Sequence, residues 1–335
     1  MNKVFIIAEA GINHNSDLEI AKRLVDMAIE CGADAIKFQT FKAYESTGIF
    51  ADMAQYQKEN FQKEKSQYEM LKELELSFNC FEEIQKYCKQ KGITFISTPD
   101  GTESLDFLVS IDVPLIKIGS TEVTNFEFLK EIARKGKPII LSTGMSTIGE
   151  VEEALNAIYS TGNTQVQLMH CTTDYPTPLQ DVNLKAMITL KEAFKVPVGL
   201  SDHTIGYEAA IAAVALGAEI IEKHITLDKC MKGPDHKASM PPSEFKQYVQ
   251  AVRNTEKLLG DGIKRPTERE IIIMKDVRRS IVAASDLNEG TILSKEMLKY
   301  KRPADGIEPK FVYILEGKRL KRNLLKDESI KWSDI

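Results

Sequence analysis

The stretch "VGLSDHTIGYEAAIAAVALGAEIIEKHI" (198–225) carries the reading of the fold. It opens on a short apolar run, passes through an alanine-rich segment ending at Gly217, and closes on a second apolar run. Runs that are apolar throughout, without strict alternation, mark parallel strands covered on both faces. The segment between them is long enough for a helix and ends at a glycine, as a helix C-cap does. The unit therefore reads strand–helix–strand. Each apolar run ends in a polar cluster with a histidine, His203 and His224, in a chain with five histidines in all.

Six more runs of the same kind precede it: "VFIIAEA" (4–10), "AIKFQT" (35–40), "TFISTP" (94–99), "LIKIGS" (115–120), "PIILST" (138–143) and "VQLMHC" (166–171). Helical patterns such as "LEIAKRLVDMAIECG" (18–32), "FEEIQKYCKQKG" (81–92), "FEFLKEIARKG" (126–136) and "IGEVEEALNAIYSTG" (148–162) alternate with them. Eight strands alternating with helices predict an α/β fold, a closed (β/α)8 TIM barrel rather than an open doubly wound sheet. The barrel is expected over 1–260, ending with the helix of "PSEFKQYVQAVRNTEKLLGDG". A linker follows over 261–277, then a small β-rich domain over 278–335 with turns at "NEG" and "ADG". So small a domain needs support from a partner surface. The irregular connection 41–66 follows the second strand and is expected to shape substrate access at the catalytic face.

Composition narrows the function classes. A formal charge of −5 with no dense Lys/Arg block argues against nucleic acid. No segment approaches the roughly 18 uninterrupted apolar residues of a membrane span. Glu9 interrupts the N-terminal apolar run, and no cleavage signal follows. Five scattered cysteines without a C-x-x-C pair indicate neither a disulfide framework nor a zinc knuckle, and point to a reducing, cytoplasmic setting.

In a barrel of this type the active site lies at the C-terminal strand ends. Those ends supply Glu9, Asn13 and His14; Lys37 and Gln39; Ser97 and Thr98; Lys117, Ser120 and Glu122; Ser142 and Thr143. The later strands supply Thr172, Thr173 and Tyr175; Ser201, Asp202 and His203; Glu222, Lys223 and His224. Two lysines inside apolar strands, with several hydroxyls, describe a phosphate site, because ammonium and hydroxyl groups give charge-assisted donors. Taken singly, each hydroxyl also reads as a helix cap. His203 and His224 end neighbouring strands and suit a labile divalent ion such as Mn²⁺ or Mg²⁺, completed by water and substrate. Spacing alone leaves equal room for two structural histidines satisfied by Glu222 or Asp202.

With these positions assembled, the chain resembles the sialic-acid synthase family nearly end to end. The resemblance is carried by "AEAGINHN", "AIKFQTFKA", "FISTP", "KIGSTEVTN", "IILSTGM", "HCTTDYPTP", "GLSDHT", "EKHITLDK" and "GPDHKASM". The segment "VAASDLNEGTILSKEMLKYKRPADG" is similar to the antifreeze-like (SAF) domain that follows the barrel in these enzymes. The resemblance implies condensation of phosphoenolpyruvate (PEP) with an N-acetylated mannosamine-type sugar. It implies Mn²⁺ on His203 and His224, with Mg²⁺ or Co²⁺ as substitutes. PEP would be held by Lys37, Thr98, Lys117, Ser120, Ser142, Thr173 and Ser201, with Glu9, Lys37 and Lys117 catalytic. The sugar would meet Gln39, Glu122, Tyr175, Asp235 and, from the partner of a domain-swapped homodimer, Arg302.

The motifs also depart from the family pattern. "STPDG" replaces the usual "STPF" and puts Asp100 at the mouth; Thr121 stands where glycine is usual; Thr173 replaces an asparagine found in some members. A Pro-Gly-Asn stretch of some N-acetylmannosamine-using members is missing from 41–66. N-acetylneuraminate synthase is the leading expectation. The alternative is N,N'-diacetyllegionaminate synthase, which takes 2,4-diacetamido-2,4,6-trideoxymannose. A pseudaminic-acid synthase, a lysine Schiff-base aldolase on Lys37 or Lys117, and a binding module on an inactive barrel are weaker readings.

Overall fold

The computed structural model describes residues 3–53 and 66–335, which form two compact units, Met1–Asp261 and Gly262–Ile335. Within connection 41–66, expected to shape substrate access, residues 54–65 lie outside the described residues.

The first unit is built on eight parallel strands: β1 (Phe5–Gly11), β2 (Ala35–Thr40), β3 (Thr94–Pro99), β4 (Ile116–Ile118), β5 (Ile139–Ser142), β6 (Val166–Cys171), β7 (Val198–Asp202) and β8 (Ile220–His224). The hydrogen-bonded order β3-β2-β1-β8-β7-β6-β5-β4 closes the barrel except for one seam, between β3 and β4. The apolar runs predicted these strands to within one or two residues at each end. β4 is the one much shorter than expected, because the chain turns at Ser120–Glu122 and Ser120 Oγ accepts a hydrogen bond from the Gly144 N–H.

Helices form where local chemistry supports them. Leu18–Cys31 begins at Asp17, whose carboxylate accepts from the Glu19 and Ile20 N–H groups. It ends at Gly32, whose φ of 86° suits a residue without Cβ. Thr102–Ser110 and Lys185–Phe194 lacked a strong periodic signal, yet the barrel places them after β3 and β6.

Side chains alternate along every strand. Ile6, Ala8, Ile36, Phe38, Leu141, Leu168, Leu200 and Ile221 face the helices in the main core. Ile7, Ala35, Ile96, Ile140, Met169 and Ile220 face inward and plug the barrel. Gly199 completes that plug for a steric reason: a Cβ there would stand 2.3 Å from the Ile220 carbonyl oxygen.

The second unit carries a helix in the segment expected as a linker, 261–277. Thr267 and Glu270 form a reciprocal capping box, and Glu268–Val277 is a helix with no buried residue. The rest pairs β9 (Ser280–Ala283) antiparallel with β10 (Leu298–Lys301) around Ile281, Leu293, Leu298, Leu315, Leu320 and Ile330. Among the described residues no helix is long and apolar enough to cross a membrane.

Gly199→Ala is expected to destabilise the barrel by about 1–3 kcal/mol through overpacking, lowering Tm by roughly 2–4 °C per kcal/mol. Thermal unfolding followed by circular dichroism checks it; an unchanged Tm would show that β7 and β8 relax apart without cost.

Candidate active site

The barrel's layering builds the site. Two residues beyond the apolar plug, the inward positions become Glu9, Lys37, Thr98, Lys117, Ser142, Cys171, Ser201 and Glu222. Two residues further come Gln39, Asp100, Gly119, Thr173, His203 and His224, which line the same cavity of about 220 Å³ with Ser120, Thr121, Met145 and Tyr175. Period-two alternation thus carries each strand from apolar floor to polar wall to rim.

A buried charge network forms the polar wall. Lys37 Nζ lies 2.8 Å from Glu9 Oε1 and 3.7 Å from Glu222 Oε1, and donates to Thr98 Oγ1 at 3.4 Å. Lys117 Nζ donates to Ser142 Oγ at 2.6 Å and to the Ile118 carbonyl at 3.3 Å, with Glu222 Oε2 at 3.9 Å. All four charged groups are buried. Burial opposes the charge on Lys37, but Glu222 and Glu9 outweigh it and hold its pKa above the ordinary value. Burial prevails at Lys117 and lowers its pKa. Burial likewise pushes the Glu9 carboxyl up, whereas Lys117 and Lys37 overcome burial at Glu222 and hold it down.

The cavity has unused bonding capacity. Glu9 Oε2, Glu222 Oε2 and His224 Nδ1 are buried with no hydrogen-bond partner. Such atoms are costly to leave unmet, so the wall is built to receive something polar. Gly144 keeps the anion side open: a Cβ there would stand 2.4 Å from Thr173 Oγ1 and 2.9 Å from Ser120 Oγ.

The two histidines meet at the rim with ring centroids 5.4 Å apart, and the Tyr175 ring lies 4.2 Å from that of His203, tilted by 39°. His203 Nδ1–H donates to the Thr172 carbonyl at 2.7 Å, leaving Nε2 as the acceptor nitrogen. Burial, then the charge of His203 and the nearby lysines, holds His224 well below the usual histidine pKa and therefore neutral. At His203 burial is outweighed by Cys171, the Thr172 carbonyl and Glu222, which hold its pKa above the usual histidine value, so a divalent ion there would displace a proton. Among the described residues no group of three or more His, Cys, Asp or Glu is placed to hold one. A cation here would take two imidazoles and leave its other positions to water and substrate.

Neither Asp202 nor Glu222 satisfies these histidines in the way the structural alternative requires. Asp202 and Lys223 do not face the cavity at all. Both point outward, where they pair at 3.1 Å and Tyr248 Oη donates to Asp202 at 3.0 Å. They sit one residue out of phase with the inward positions, which is why proximity to a strand end misplaced them. Asn13 and His14 are also buried away from the cavity; Asn13 Nδ2 donates to the Ile225 carbonyl and His14 packs on Phe38 and Phe81.

Of the other expected residues, Glu122 accepts from Asn125 Nδ2 at 2.7 Å, outside the cavity lining, and its charge acts on Asp100. Half-buried Asp235 is pushed up to about 6 by burial and by Glu9. Exposed Arg302 belongs to the second unit. Sequence reading undervalued Glu222 and Cys171. Glu222 lies two residues before His224, so alternation alone puts both on one face.

Comparison with known proteins agrees with this geometry. Residues 24–264 match the NeuB family and residues 278–335 match the SAF domain. The chain is 46% identical to the N,N'-diacetyllegionaminic acid synthase of Campylobacter jejuni over 99% of this chain and 100% of that one. It is 47% identical to the enzyme of the same name from Legionella pneumophila, over 99% of this chain and 94% of that one. The solved N-acetylneuraminic acid (sialic acid) synthetase of Leptospira borgpetersenii superposes with a TM-score of 0.71 at 35% identity, covering 82% of this chain and 90% of that one. With matches of this length across both its units, the chain belongs to the NeuB family, the sialic- and legionaminic-acid synthases.

Proposed function

We propose that this protein is an N,N'-diacetyllegionaminate synthase, condensing PEP with 2,4-diacetamido-2,4,6-trideoxymannose. As a member of its family it is a PEP-dependent condensing enzyme. The observation that carries the choice of acceptor is the 46–47% full-length identity to two legionaminic acid synthases, against 35% to the sialic acid synthetase. This moves the weight from the leading expectation, N-acetylmannosamine, to the alternative. The missing Pro-Gly-Asn stretch points the same way.

Lys37 and Lys117 bind the phosphate and carboxylate of PEP, with Thr98, Ser120, Ser142, Thr173 and Ser201 as neutral donors. Glu222 balances the two ammonium groups before PEP arrives. PEP's C3 forms the new C–C bond to the aldehyde carbon of the open-chain sugar; water adds at C2, and the C2–O bond to phosphate breaks. Glu9, its basicity raised by burial and one oxygen free, takes the proton from that water. Lys37 and Lys117 stabilise the departing phosphate. A divalent ion, Mn²⁺ by preference, held by His203 and His224 would supply Lewis-acid polarisation of the aldehyde. Gln39 and Tyr175, which line the cavity, orient the sugar, while Asp235 and Glu122 lie outside that lining. Arg302, in a domain-swapped homodimer, serves the acylamino group in the partner's barrel.

Phosphate release from PEP with Mn²⁺ is expected to favour the diacetamido-trideoxymannose over N-acetylmannosamine by more than ~10-fold in kcat/KM. The reverse preference would make this a sialic-acid synthase. His203→Ala and His224→Ala are each expected to lose ~100-fold or more in turnover and to weaken Mn²⁺ binding measured by titration calorimetry. Wild-type turnover by either variant in excess chelator would remove the metal assignment. Arg302→Ala is expected to raise the sugar KM about 10-fold with PEP KM unchanged; equal effects on both, or sedimentation of the wild type as a monomer, would remove the cross-subunit arginine.

A further inference from the structure

We propose that Asp100 determines acceptor specificity: its side chain takes a hydrogen bond from a hydroxyl or amide N–H of an uncharged acylamino sugar, and it disfavours an acceptor that carries phosphate. The proposal rests on the synthase reading of this cavity and adds to it a residue and a chemical class of acceptor.

Asp100 stands in the rim layer, two residues past Thr98, and lines the cavity with Gln39, His203 and His224. The layer beneath it holds the lysines. An acidic group in an anion-binding cavity is useful only if it faces the other substrate, and its place above the lysines puts it there. The chain also fixes its position. Its N–H donates to the Thr40 carbonyl at 3.1 Å, and Ser46 Oγ reaches Oδ2 at 3.5 Å. Gly101 follows with φ +145°, and a Cβ on it would stand within 2.6 Å of the Glu45 carboxyl carbon. Glu45 in turn accepts from the Glu103 N–H at 3.0 Å and from Ser104 Oγ at 3.4 Å. The dipeptide Asp100-Gly101 is thus clamped from the loop after β2.

The electrostatics select what the acceptor can be. Lys37 and Lys117 are the only ammonium groups among the described lining residues, and Glu9, Glu222 and PEP engage both. Among the described residues no cation lies within ion-pair distance of Asp100. Burial and the charge of Glu122 push its carboxyl up to about 7. Ser46 Oγ, at 3.5 Å, is a long donor to it and leaves the carboxyl room for others. A neutral sugar brings O–H and N–H donors; a phosphate dianion brings none and adds negative charge beside a carboxyl whose surroundings already disfavour its anion. PEP contributes three carbons, so a phosphate on carbon 6 of the acceptor would become a 9-phosphate of the product.

The test compares wild type with Asp100→Asn, using PEP with diacetamido-trideoxymannose, N-acetylmannosamine and N-acetylmannosamine 6-phosphate. Wild type is expected to prefer its better neutral acceptor to the phosphorylated one by at least ~100-fold in kcat/KM. Asp100→Asn is expected to raise the neutral-acceptor KM about 10-fold, keep PEP KM within about 2-fold, and narrow the preference by at least ~10-fold. An unchanged acceptor KM and preference, or a PEP KM rising in step, overturns the role of Asp100 while the synthase reading stands. Wild type inactive on all three acceptors overturns both. If Asp100→Asn does not fold, Asp100→Ser is judged by the same ratio.

Discussion

The structure depends on a charge arrangement that would be costly anywhere else: two lysines buried inside a barrel. Lys37 and Lys117 lie among apolar strand residues, where an isolated ammonium is strongly disfavoured. Glu9 and Glu222 make them tolerable, Glu222 by standing between the two at 3.7 and 3.9 Å. Removing one partner of a buried ion pair typically costs about 3–5 kcal/mol, so the four groups constrain one another. The lysines, the hydroxyls beside them and the carboxylate oxygens that lack hydrogen bonds are best understood as a site holding its own counterions until an anion replaces them.

The barrel provides the geometry for this. Parallel strands alternate inward and outward residues, and eight of them in near-closed order stack those residues into layers. Apolar side chains seal the floor, the charged wall lies above them, and the histidines, Gln39 and Asp100 form the rim. Glycines are set where a methyl would close the space. Gly199 lets two strands approach at the floor, and Gly144 keeps room beside Ser120 and Thr173. The same alternation sends Asp202 and Lys223 to the outer face, where they join Tyr248 in holding a helix against the sheet.

The second unit follows a different economy. Its two paired strands enclose a small apolar core, and the helix before them, Glu268–Val277, buries none of its side chains. Ile271, Ile272 and Ile273 are consequently exposed. A capping box sets where that helix starts, so local hydrogen bonding accounts for its boundary even though no core packs on it.

The sequence by itself determined the strand–helix alternation, the eight strands and most of the residues at their C-terminal ends. These are properties of short windows: apolar runs, helical spacing and caps act within about fifteen residues. It also carried the lysines, hydroxyls and paired histidines, since each lies within or just beyond a strand of known direction. Only the tertiary structure decided which of them share a cavity. Glu222 became the counterion of two lysines from distant strands, Asp202 and Lys223 turned away, and Glu122 fell outside the lining. Such assignments depend on strand register and barrel curvature, which bring together residues more than a hundred positions apart, and no local pattern encodes a distance of that kind.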